Sequence, residues 1–229
     1  MKKKFIAVGA IAAMMTVSGQ VLDFNHQYVG ISHVEAGIGV GGVAKVAAGD
    51  PKKNYANAVT NLAKATVYMI VAQQQIENID GEELKDYSSF NEIANEITGG
   101  NREIAKEYIE TFNGKSADLV KIYKTADRNN ANVKANLQNI ANLRAASRSA
   151  NKAALGDAAK LIASEGTDGV AALIASAKEI KAMLDLQNEA HKAMKEIDDM
   201  EKKEKIKADV KKVPDLQMEA PAIPEAEEE

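Results

Sequence analysis

The chain contains no cysteine and no tryptophan, and aromatic residues make up only 4% of its 229 positions. Without cysteine there is no disulfide framework, so stability has to come from packing, from a partner or from oligomerisation. Sheets favour β-branched and aromatic side chains, whereas helix-on-helix packing is satisfied by Ala, Leu, Ile and Met. The composition therefore favours an all-α fold.

Proline is also scarce, since the four prolines lie at positions 51, 214, 221 and 224. Residues 52–213 contain none, which permits long helices throughout that span. Asp50 and Pro51 suit an N-cap and the first helical position, where the missing N–H of proline costs nothing. A first helix is therefore predicted to begin at Pro51 and to end near Gly81.

Apolar residues then recur at spacings of four and three, which is a heptad-type seam. In the first helix the seam positions are Tyr55, Val59, Leu62, Thr66, Met69, Gln73 and Ile76, of which only Thr66 and Gln73 are polar. Glycines at 99, 100 and 114 predict two short helices between residues 82 and 113. We expect an all-α, elongated bundle of two or three long helices with coiled-coil-like seams, plus these two short helices.

The N-terminal residues have the features of a secretory signal peptide. Three lysines precede the uncharged apolar run of residues 5–17, and small residues suit cleavage after Gly19. An uncleaved anchor is the alternative. Removal of residues 1–19 would shift the formal net charge from -4 to about -7. We therefore expect an exported protein, periplasmic or extracellular, and such an acidic chain is a poor nucleic-acid binder.

The remaining boundaries follow from composition. Residues 20–50 form a Gly-rich N-terminal segment, residues 51–213 the helical bundle domain, and residues 214–229 a tail rich in proline and glutamate. Such a tail is predicted to be disordered, because it has too few apolar side chains to form a packed element.

The Gly-rich segment contains "GIGVGG", whose letters fit a dinucleotide-binding G-x-G-x-x-G motif. That motif requires a βαβ unit, and the downstream sequence reads as helical throughout, so we predict no cofactor. Two interpretations stay open for Gly37, Gly39, Gly41 and Gly42. They belong either to a connector or assembly contact that uses close backbone approach, or to a membrane-active segment.

Five asparagines recur at helical spacing in the long helix after residue 116. They are Asn129, Asn132, Asn136, Asn139 and Asn142, and Arg144 and Arg148 continue the stripe. One interpretation is a solvated face. The other is a polar seam whose amides bind another helix and fix register or oligomer state, with the arginines meeting an acidic partner.

Candidate chemistry is sparse. The three histidines, at 26, 33 and 191, have no zinc-ligand spacing, and no nucleophile has a recognisable partner. We therefore predict neither a metal site nor an enzyme. The plan of signal peptide, helical bundle and similar length resembles the minor-pilin subunits of type IV secretion systems, and no functional residue carries over from it.

These features favour an exported, non-enzymatic structural or protein-interaction component of a bacterial-type cell envelope, which acts through helix–helix contacts with itself or another protein. The alternative is a helical pore-forming or membrane-active protein that uses the Gly-rich segment or "VYMIVA" at residues 67–72. A third class is a protein that binds a small ligand or a metal.

Overall fold

A computed structural model describes residues 50–165, 167 and 169–224 of the chain. The described residues form six α-helices and no strand, which confirms the predicted all-α class. The helices are α1 (Pro51–Glu77), α2 (Asn91–Thr98), α3 (Arg102–Thr125), α4 (Ala131–Ile162), α5 (Ala171–Ala193) and α6 (Lys195–Lys203). Four of them are 23 to 32 residues long, more than the two or three that were expected.

Helix α1 begins as its sequence predicts. The Asp50 side chain accepts a hydrogen bond from the Lys52 N–H at 3.0 Å, and Pro51 is the first helical residue. The carboxylate satisfies one of the N–H groups that have no partner inside the helix, and its charge lies at the positive end of the helix dipole.

Helix α1 is the central helix of the bundle. Seventeen of its 27 residues are buried, and it packs most extensively on α4 and also on α2, α3 and α5. Alanines on both helices, such as Ala63 and Ala154, have no exposed surface. Small side chains let two helix backbones approach closely, so the α1–α4 contact forms the middle of the core.

The segment at residues 67–72 lies inside this core. Each of its six residues is at most 6% exposed. None of the helices within the described range is long and apolar enough to cross a membrane.

Two predicted helix boundaries were wrong. Gly114 does not end a helix, because α3 continues through it to Thr125 and a helical glycine costs only about 1 kcal/mol. The chain instead breaks after Ala126, and Asn130 caps α4 by accepting a hydrogen bond from the Asn132 N–H at 2.8 Å. The Arg128 guanidinium donates to the Tyr123 and Ala126 carbonyls, which satisfies the end of α3.

The short helix predicted over residues 82–97 is also shorter than expected. Residues 82–87 are not helical, and α2 follows a 3-10 turn at Ser88–Phe90. The Leu84 N–H donates to the buried Gln75 side chain at 2.7 Å, so this loop takes its hydrogen bonds from α1.

The apolar spacing from Val170 to Met194 and the charged residues after it predict a single final helix. In the structure this stretch divides at Met194 and ends at Lys203. Its end forms a Schellman motif, because Ile206 N–H donates to the Glu201 carbonyl and Lys205 N–H to the Lys202 carbonyl. Lys205 takes a φ of 59°, the left-handed conformation that usually selects glycine.

The chain after this turn, residues 206–224, is called the C-terminal segment below. It contains a 3-10 turn at Val210–Lys212 and is otherwise free of regular structure. Over residues 214–224 the predicted disorder is replaced by an ordered path along the bundle, because Leu216 is buried and several main-chain groups find partners. Residues 225–229 lie outside the described range, as do residues 1–19, the predicted signal peptide, and Gly37, Gly39, Gly41 and Gly42.

Candidate functional site

The first half of the asparagine stripe on α4 holds the loop that follows α1. The Asn136 side chain is fully buried and donates to the Ile79 carbonyl at 2.8 Å and the Gly81 carbonyl at 2.9 Å. Asn132 donates to the Asp80 carbonyl at 3.3 Å. An amide that replaces water at buried carbonyls stabilises the loop, since an unpaired buried carbonyl costs free energy.

The next turns of α4 reach two different parts of the chain. Asn139 donates to the Leu84 carbonyl at 3.4 Å. The Asn142 oxygen accepts from the Asp209 N–H at 2.7 Å, and Gln138 donates to the Lys207 carbonyl at 2.8 Å. Gln138 also donates to Asn142, so the two amides act as one unit.

The stripe is therefore not a uniformly solvated face. Asn136, Asn139 and Asn142 are buried, whereas Asn129 and Asn132 are exposed. The groups that the buried amides bind come from this chain's own loop and C-terminal segment. An interface between the stripe and a second chain stays a prediction.

Arg144 and Arg148 continue the stripe and bind α6. Arg144 is 3% exposed and donates to Glu201 at 2.6 Å, to Asp198, and to the Met194 carbonyl at 3.1 Å. Arg148 donates to the same Asp198 oxygen. In the structure both arginines pair with carboxylates of this chain's own α6. An acidic partner from another chain stays a prediction.

This ion-pair group is a packed junction. Burial raises the pKa of Glu201, and the neighbouring Arg144 only partly opposes that shift. A buried charge that keeps its partner fixes geometry, because loss of either partner leaves an uncompensated charge. The three carboxylate and carbonyl contacts of Arg144 hold α6 at its angle to α5.

A row of buried polar side chains lies beside this junction. Ser147 Oγ donates to the Ala65 carbonyl at 2.7 Å and lies 3.4 Å from His191 Nε2. Asn151 donates to the Leu184 carbonyl at 3.0 Å and to Gln187 at 2.8 Å. These bonds tie α4 to α1 and α5, and they give the buried polar side chains Ser147 and Asn151 hydrogen-bond partners.

The Ser147–His191 pair does not have the geometry of an activated nucleophile. The serine is fully buried and its hydroxyl proton is donated to a carbonyl. Burial, with Arg148 and Arg144 nearby, lowers the pKa of His191 to about 4. A histidine that stays neutral and a serine closed off from solvent are structural groups rather than catalytic ones.

A cavity of about 470 Å³ opens above His191. Its walls are Arg148, Asn188, His191, Lys192, Lys195 and Asp198. Arg148 and Asp198 already neutralise each other across it. Within the described residues, no group of three or more His, Asp or Glu side chains is placed to hold a metal ion.

The C-terminal segment occupies a second surface, which we call the α1–α4 groove. Tyr68 donates to the Pro214 carbonyl at 3.2 Å, and Lys64 pairs with Asp215 at 2.7 Å. Space of about 370 Å³ remains between the segment and the two helices. The groove is lined by Asn61, Lys64 and Tyr68 of α1 and by Ala146, Ser149, Ala150 and Ala153 of α4.

Beyond the groove the segment continues to α2. The Glu219 N–H donates to the Asn95 side chain at 2.9 Å, and the Ala222 N–H donates to the Thr98 carbonyl at 2.9 Å. Counting Lys207, Asp209 and Pro214, five main-chain groups of the segment bind the bundle. Leu216 is the one buried apolar side chain of the segment. The sequence marked Asn142 as a polar helix residue, and nothing in it marked the segment as its partner.

Comparison of the chain with protein-family models, with curated proteins and with solved structures found no match. The candidate functional sites of the chain are the polar stripe of α4 and the α1–α4 groove.

Proposed function

We propose that this protein is an exported, non-enzymatic component of a bacterial-type cell envelope that acts by binding other polypeptides on its helical bundle. The observation that carries this proposal is the α1–α4 groove with its extended occupant. Side chains of α1, α2 and α4 bind four main-chain groups of the C-terminal segment, and the Thr98 carbonyl of α2 binds a fifth. Main-chain recognition is how extended peptides bind to folded domains.

The polar side chains of the bundle support this function in preference to catalysis. Ser147 and His191 are engaged in packing, and Arg144 is neutralised by Asp198 and Glu201. A catalytic group needs access to substrate and a free proton donor or acceptor. The accessible polar groups lie instead along the groove, where they face another stretch of polypeptide.

Export is proposed from the N-terminal sequence. The lysines at positions 2–4 and the apolar run to residue 17 match a signal peptide, and the absence of cysteine suits an envelope protein that does not depend on disulfides. Periplasmic and extracellular locations are both compatible with these features.

The experiment uses site-specific photo-crosslinking in bacteria that produce the full chain. A photoreactive amino acid replaces Ser149, which is exposed and lines the groove, or Ala182, which is exposed on α5 and serves as the matched control. We expect a chain that begins near Gln20 in the envelope fraction, and discrete protein adducts at position 149 only.

Two results would contradict the proposal separately. A chain that retains Met1 and stays in the cytoplasm would overturn export. Equal or absent adducts at positions 149 and 182 would overturn polypeptide binding by the groove.

A further inference from the structure

We propose that the α1–α4 groove of one copy binds the C-terminal segment of a second copy, so that two chains exchange residues 206–224. This inference rests on the proposed function and names its partner. The polypeptide that fits the groove in the structure is the chain's own segment, and a second copy presents the same atoms.

The contacts that hold the segment do not depend on which chain supplies it. Gln138 and Asn142 bind main-chain groups of Lys207 and Asp209, and Tyr68 binds the Pro214 carbonyl. Asn95 and the Thr98 carbonyl bind two further N–H groups. Exchange between identical chains keeps every one of these bonds, which is why domain swapping is a low-cost route to a dimer.

The connection to the segment is short and strained. Only Glu204 and Lys205 separate α6 from the segment, and Lys205 has a φ of 59°. A side chain at this position crowds the carbonyl oxygen that follows, and glycine would not. Short hinges under strain favour swapping, because a straight connection relieves the strain.

The sequence permits the straight connection. Residues 195–213 contain neither glycine nor proline, and charged residues with good helix propensity dominate them. The same pattern predicted one helix through this region, whereas the structure has a turn after Lys203. Extension at Lys205 would carry the segment away from its own groove and toward a second chain.

The segment also carries unsatisfied apolar surface. Val210 is 43% exposed and Ile223 is 40% exposed, and these are the exposed large hydrophobic side chains of the described residues. Both lie in the C-terminal segment, next to the groove or to α2. A second copy that meets this region would cover them.

The absence of native cysteine allows a direct test with the full mature chain. Lys64→Cys in one preparation is mixed with Asp215→Cys in a second preparation of different mass, and the mixture is treated with a short bismaleimide that joins two thiols. Because the Lys64 ammonium and the Asp215 carboxylate are 2.7 Å apart, exchange brings the two cysteines of different chains within reach of one crosslinker. We expect a crosslink that joins the two preparations.

Two controls accompany this mixture. Lys64→Cys mixed with Glu189→Cys, an exposed acidic site on α5, reports random collision. The double variant with both cysteines in one chain must form an internal crosslink with the same reagent, which shows that the two sites are neighbours in the folded protein. Mixed crosslinks that are absent, or equally abundant with Glu189→Cys, would overturn the exchange.

A second measurement keeps the test independent of cysteine chemistry. Lys205→Gly should relieve the hinge strain of the closed monomer and lower the dimerisation constant about fivefold per hinge, or about 25-fold for two hinges. Lys203→Gly, in the last turn of α6, is the matched control. Light scattering over a wide concentration range gives the constants, and equal constants for the two variants would contradict the role of the hinge.

Failure of the exchange is distinguishable from failure of the proposed function. A chain that stays monomeric and forms no mixed crosslink, yet gives adducts with a different protein at position 149, would overturn exchange and leave polypeptide binding by the groove in place. Adducts with a second copy and mixed crosslinks together are the result expected here.

Discussion

The α1–α4 contact and the C-terminal segment belong to the same bundle and are held by different chemistry. Leu62 of α1 and Ile140 of α4 have no exposed surface, and alanines between the helices bring the two backbones together. The C-terminal segment instead has one buried apolar side chain, Leu216, and binds through side-chain hydrogen bonds to its main chain.

The difference separates a permanent contact from a replaceable one. Burial of apolar surface contributes about 25 cal/mol per Å² to stability, and this contribution is lost only when the helical bundle unfolds. A hydrogen bond contributes about 1 kcal/mol net, because water competes for both groups. The segment is therefore expected to open with a smaller free energy than the bundle, which is the behaviour of a local unfolding unit.

The largest expected effect is in the core. Leu62→Ala should lower the free energy of unfolding by about 3 kcal/mol, because it leaves a cavity between α1 and its neighbours. Val210→Ala, at a 43% exposed site of the segment, is the control and should change it by about 0.5 kcal/mol or less. Urea unfolding measures the free energy of unfolding of both variants. Equal losses would contradict the distinction between the helical bundle and the C-terminal segment.

The next effect concerns pH. The pKa of His191 is about 4 in the folded chain, because of burial and of Arg148 and Arg144, while Asp198 acts in the opposite direction. The unfolded chain binds this proton at about pH 6.5. Stability should therefore fall as the pH drops from about 6.5 to about 4, by up to about 3 kcal/mol.

The matched variant for this effect is His191→Gln, which stays neutral at every pH. Glu201, whose pKa is raised by burial, gains stability on acidification and opposes the trend in both proteins. Lys192 and Lys195 line the same cavity as His191. The informative quantity is the difference between the free energies of unfolding of the two proteins as a function of pH. A difference that does not change with pH would show that folding does not lower the pKa of His191.

A smaller effect is expected at the junction of α4 and α6. Arg144→Met should lower the free energy of unfolding by about 2 kcal/mol, because Glu201 and the Met194 carbonyl lose their donor. Arg148→Met should cost less than about 1 kcal/mol, since that side chain is 38% exposed. Thermal unfolding of the two variants side by side tests the ranking. A larger loss for Arg148→Met than for Arg144→Met would contradict the central role of Arg144 in the contact between α4 and α6.

The smallest effect belongs to the segment. Leu216→Ala should lower the free energy of local opening of the C-terminal segment by about 1 kcal/mol, because its side chain packs at the edge of the core. The free energy of unfolding of the helical bundle should not fall by a matching amount. Limited proteolysis by trypsin at Lys211 and Lys212 should become several-fold faster, whereas Ile223→Ala should leave it unchanged. A large fall in the unfolding midpoint for Leu216→Ala would mean that the C-terminal segment unfolds together with the helical bundle.

Sequence reasoning succeeded where the cause of a structure is local. Asp50 and Pro51 set the start of α1, and the apolar spacing of α1 identified its buried face. The predicted helix end at Gly114 was wrong because the packing of α3 outweighs the small helix penalty of one glycine. The break before Asn130 was missed because the asparagines there were assigned to one continuous stripe.

The candidate site was found only in part. The spacing of Asn132, Asn136 and Asn139 marked a polar stripe, but its partners are side chains and carbonyls far away in sequence, such as Ile79 and Lys207. Composition predicted a disordered tail, because contacts between a polar segment and a folded surface leave no periodic signal. The groove became visible only when α1 and α4 were placed side by side.

Native-state hydrogen exchange of the full chain tests whether the C-terminal segment is held on the bundle by its main chain. The amides of Asp209, Glu219 and Ala222 donate to Asn142, Asn95 and Thr98. We predict that these three amides exchange at least tenfold more slowly than an unstructured peptide of the same sequence. Exchange of all three at the unstructured rate would contradict the account.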